Sequence, residues 1–120
     1  MSLKDKNIIA GSLLIALVTA FNSPKRKSLQ ADGLEERDLA FEAGLLSPMD
    51  MEIPRYATTK RRRIVHILEQ LESQGLIRFQ DKNPGILYKI FPTEAGESIG
   101  NKLMRPWYIK IFNSLFSNGK

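Results

Sequence analysis

A mostly α-helical chain carrying one small β-hairpin is expected from three observations. Apolar residues recur at helical spacing, most clearly at Ile64, Ile67, Leu68 and Leu71. The period then changes: Ile77 and Phe79 alternate with Arg78 and Gln80, and Ile86 to Phe91 is a second run of β-branched and aromatic residues. Between these runs lies Asp81-Lys82-Asn83-Pro84-Gly85, whose Pro fixes φ and whose Gly accepts positive φ. The 120 residues suit a single domain, 1–120, with one core.

The N-terminal element is residues 8–21, a run without charge that is too short for the ~20 apolar residues of a membrane span. A secretory signal is the rival, with Lys4 and Lys6 as its positive end and Val18-Thr19-Ala20 as a cleavage site, although Asp5 opposes it. The preferred reading is a core helix. Ile9, Leu13, Ala16, Leu17 and Ala20 share one stripe, while Ile8, Leu14, Val18 and Phe21 widen the apolar arc enough to face a second subunit.

Residues 22–33 read as a loop, and its Lys25-Arg26-Lys27 as solvated charge with phosphate contact as the alternative. Leu34 to Leu46 reads as a second helix whose early acids, Glu35, Glu36 and Asp38, suit the helix dipole. Ser47 to Ala57, with Pro48 and Pro54, reads as irregular, and Asp50 and Glu52 as solvated carboxylates rather than a metal or acid–base site.

The next helix holds the densest charge. Thr58 or Thr59 is a plausible N-cap and Gly75 a natural stop. Lys60, Arg61, Arg62 and Arg63 crowd its first turn, with Arg55 before and His66 after. Cations at this end oppose the dipole, which favours an anion by ~0.3–1 kcal/mol. The conflict vanishes if a phosphate backbone approaches. Thr58, Thr59, Arg62 and His66 lie opposite the apolar stripe, with Arg63 beside them, and Lys60 and Arg61 flank the stripe. Such a face suits the major groove. The hairpin follows directly, carrying Arg78, Lys82 and Lys89.

Thr93 is expected to cap a short helix through Met104, with Ile99 and Leu103 inward. Pro106 then opens a terminal helix over 106–117, whose Trp107, Tyr108, Ile111, Phe112, Leu115 and Phe116 form a wide apolar face assigned to a dimer interface.

The passage Arg63 to Arg78, ending Leu71-Glu72-Ser73-Gln74-Gly75-Leu76-Ile77, resembles the step from recognition helix into wing of bacterial and archaeal winged helix-turn-helix transcription regulators of the MarR-like and PadR-like kind. Phe91-Pro92-Thr93-Glu94-Ala95-Gly96 is similar to the same families' second wing strand and the start of the next helix. The likeness runs from Thr58 to Gly96, with recognition helix and wing at 58–91. It implies a dimeric repressor or activator, with the basic helix on base edges, the wing on backbone or minor groove, and N- and C-terminal helices forming the dimer.

Charge agrees with a polyanionic partner: 18 Lys and Arg against 13 Asp and Glu give +5. Without cysteine, and with one histidine, there is no disulfide framework, thiol nucleophile or histidine-rich metal site. No Gly-rich phosphate loop or supported triad is present. The expectation is therefore a cytoplasmic, non-enzymatic protein that binds double-stranded DNA and itself, without metal, cofactor or membrane. The alternative is a winged-helix protein-interaction or assembly module that binds no DNA.

Overall fold

The computed structural model describes residues 3–50, 59–80 and 89–103. Their order is α1 (Leu3–Asn22), α2 (Leu29–Asp32), β1 (Leu34–Glu35), α3 (Glu36–Glu42), α4 (Thr59–Ser73), β2 (Ile77–Phe79), β3 (Lys89–Pro92) and α5 (Glu94–Lys102). The described chain is mostly helical, with one small antiparallel sheet of strand order β1-β3-β2.

The α1 helix is the axis of the core. It packs against α3, α4, α5 and β3, and Leu13, Leu14, Leu17 and Val18 are completely buried. Each such side chain contributes ~1.5–3 kcal/mol by leaving water. This corrects the expectation that Leu14, Val18 and Phe21 face a second subunit. The apolar arc is wide because α5 and the sheet of the same chain cover it. Phe21 packs against Phe91 of β3, with ring centroids 5.9 Å apart. Only Ile8 of that group points outward, at 53% exposure. No helix among the described residues is long and apolar enough to cross a membrane.

The segment expected to be one helix from Leu34 to Leu46 divides. Leu34 pairs with Ile90 and Glu35 with Lys89, so the first two residues form an edge strand. The α3 helix starts at Glu36 and ends early because Gly44 takes φ +79° and the Leu45 amide donates to the Ala40 carbonyl. The α4 helix stops in the same way. Gly75 has φ +77° and Leu76 N–H donates to Leu71 O, closing a Schellman turn that a Cβ would strain. The expected loop at 22–33 contains the single turn α2, and Arg26 ties it to α3 through two contacts with Glu42, at 2.6 and 2.8 Å.

A tight corner joins α4, the sheet and α5. Thr93 Oγ1 accepts from the Gly96 amide at 3.0 Å and donates to the Gly75 carbonyl, while Thr93 N–H donates to Leu76 O. Gly96 lies so close that an added Cβ would sit 1.8 Å from the Leu76 carbonyl oxygen. The Thr-Glu-Ala-Gly sequence thus has a packing reason: a cap at its first position and backbone contact at its last.

Candidate nucleic-acid interface

The outward face of α4 is set by its buried face. Ile64, Val65, Ile67, Leu68 and Leu71 are buried against the core. At ~100° per residue this leaves Thr59, Arg62 and His66 outside and exposed, with Arg63 half-buried next to them. Arg62 donates to Thr59 Oγ1 at 3.3 Å, one helical turn back. Arg63 and Lys60 line an apolar recess together with Ile9, Leu45, Thr59 and Ile64.

Arg61 corrects the expected site. Its side chain is 1% exposed, and that of Glu36 is fully buried. One amino nitrogen of the guanidinium donates to both Glu36 oxygens, at 2.9 and 3.1 Å, and the other donates to the Asp50 carbonyl at 3.4 Å. A side chain so enclosed presents no donors to DNA. The sequence held a signal for this: Arg61 stands seven residues before Leu68, hence on the same side of the helix.

Lys60 is exposed and pairs with Asp50 at 3.0 Å. Asp50 is itself locked in a turn. Ser47 donates to Asp50 Oδ2 from its amide at 2.8 Å and from its hydroxyl at 3.0 Å, and Asp50 N–H donates back to Ser47 Oγ. These are the reciprocal bonds of a capping box. The Ser47 amide bond first, then Lys60 and the Ser47 hydroxyl, hold the Asp50 carboxyl down at about 2. In the segment read as irregular, residues 47–50 thus form a turn that holds its anion toward Lys60 in the first turn of α4, and 51–57 lie outside the described residues.

On the sheet, Arg78 is exposed and lies opposite Phe91, its guanidinium 4.2 Å from the ring centroid. That cation–π contact is worth ~0.5–1 kcal/mol. Lys89 is exposed and registers with Glu35 across the strands. Arg55, Thr58 and Lys82 lie outside the described residues, as do Trp107, Tyr108, Ile111, Phe112, Leu115 and Phe116. The structure thus groups Thr59, Arg62, Arg63 and His66 on one face and takes Arg61 out of it. Among the described residues no group of His, Cys, Asp and Glu could hold a metal ion. Comparison with protein-family models, curated proteins and solved structures finds no match for this chain.

Proposed function

We propose that the chain is a winged helix-turn-helix protein that binds double-stranded DNA as a homodimer and regulates transcription in the cytoplasm. The observation that carries the reading is the outward face of α4, with Thr59, Arg62, Arg63 and His66 near the helix start and the β2–β3 hairpin directly after its end. A helix of ~10–12 Å diameter fits a major groove ~12 Å wide. In that pose Arg62 and Arg63 reach base edges or phosphates, and Arg78 and Lys89 lie on the adjoining sheet. The order α1, α2, β1, α3, α4 and then the β2–β3 hairpin, with β3 between β1 and β2, supports the wing assignment.

Anisotropy with a random duplex and with the gene's upstream region, over a salt series, tests it. The wild type should lose affinity steeply with salt and prefer the upstream duplex. Arg62→Ala/Arg63→Ala should abolish that preference while leaving the fold intact, since neither side chain is buried. Absence of binding to both duplexes at low salt overturns the reading.

A further inference from the structure

We infer that Arg61 is a positioning residue, which with Glu36 fixes the rotation of α4 about its axis and so aims Arg62 and His66 outward. The inference rests on the DNA-binding reading and assigns Arg61 a role in it other than contact.

The other buried side chains of α4, Ile64, Val65, Ile67, Leu68 and Leu71, are aliphatic, and their attraction is non-directional and tolerates small rotations. The Arg61–Glu36 pair does not. A planar guanidinium has fixed donor directions, and here it serves both oxygens of one carboxylate and a backbone carbonyl. The Glu36 carboxylate and the Asp50 carbonyl come from two separate places, the first turn of α3 and the Ser47–Asp50 turn. Successive helical residues are ~100° apart, so an inward Arg61 dictates where Arg62 and His66 point. Glu36 also follows β1 directly, and β1 is registered on β3. One ion pair therefore references α4 to the strand that carries Lys89.

Stability alone gives little reason for such a pair. Desolvation offsets most of the attraction between buried charges, and a well-packed apolar pair does as well or better. What an apolar pair lacks is direction.

The test uses full-length chain, duplex anisotropy over a salt series, and a thermal melt of each variant. Arg62→Ala is the contact control and should lower the salt slope by about one. Glu36→Gln, and separately Glu36→Leu/Arg61→Met, should weaken duplex binding about tenfold with the salt slope of the wild type, the double variant melting near the wild type. A slope loss of about one in the double variant would make Arg61 a phosphate contact and overturn the inference. Unchanged affinity in both variants would leave the pair a purely structural one and overturn it too. If the double variant does not fold, Glu36→Gln decides by the same affinity and slope. A wild type without salt-dependent duplex binding removes the DNA-binding reading and the positioning role together. Wild-type binding with either adverse variant result removes the positioning role alone.

Discussion

Arg61 and Glu36 form a buried ion pair, and a single change in either side chain leaves the other without its partner. Replacing either by Ala strands its partner, an ionised group in an apolar interior, and should lower unfolding free energy by ~3–5 kcal/mol. Urea unfolding followed by circular dichroism should show a large fall in midpoint for Glu36→Ala and Arg61→Ala, and a much smaller one for Arg62→Ala. Equal midpoints for all three would contradict the buried pair. Gly96 is comparable for a different reason. The Leu76 carbonyl leaves no room for a methyl group, so Gly96→Ala must displace backbone and should cost ~3 kcal/mol or more. Arg61 also shows why the site was only partly legible in the sequence. A run of cations is conspicuous as composition, but composition does not say which member turns inward. The i+7 relation to Leu68 puts Arg61 on the apolar side, yet its acceptor, Glu36, lies 25 residues away. Pairings at that range follow from the fold alone.

Helix ends explain most of the local differences from expectation. Gly75 was readable as the end of α4, but the equivalent Gly44 was absorbed into an apolar run that continues through Leu45 and Leu46. β1 had no signal at all. Two residues cannot display a period of two, and Leu34 and Glu35 are a strand only because β3 offers an open edge. The Ser47-Pro48-Met49-Asp50 turn was legible in principle, as a Ser with an acid three residues later and Pro between them. Its physical consequence is a pH dependence. The folded Asp50 carboxyl sits at about 2, against an ordinary value of 3.8. A depressed carboxyl stabilises the folded state fully above about pH 4, and that stabilisation disappears as pH falls through the folded value near 2. Thermal midpoints of the wild type should therefore decline between pH 4 and 2 more than those of Asp50→Asn, the two curves converging at the acid end. Parallel curves over that range would show that Asp50 has an ordinary carboxyl. On the DNA-binding reading, Asp50→Asn also releases Lys60 from its anion, so duplex affinity at pH 7 should rise and the salt slope increase by up to one.

For the molecule as a whole, the helix-rich architecture and the β2–β3 pairing were legible because periodicity reports which face of an element is buried. It does not report what buries it. The apolar excess of α1 pointed to a partner, but α5 and β3 cover it from within the same chain. Dimerisation in the proposed function consequently rests on the other apolar segment, 106–117, together with the outward Ile8. Six large apolar side chains, Trp107, Tyr108, Ile111, Phe112, Leu115 and Phe116, fall at helical spacing there. On the helix that this spacing predicts they would share one face, a contiguous patch of the kind that marks an association surface. A closed two-fold dimer through them predicts that the full chain sediments at twice its monomer mass at micromolar concentration. Phe112→Asp/Phe116→Asp puts charge into that face and should give a monomer with an unchanged far-ultraviolet spectrum. If two basic helices then no longer engage one duplex together, affinity should fall by ~10²–10⁴, since the second contact ceases to be intramolecular. The salt slope should drop to about half, because half the phosphates are neutralised. A monomeric wild type would confine the proposal to single-site binding, and a variant that is monomeric but keeps full affinity and slope would show that 106–117 has no part in holding two DNA-reading surfaces together.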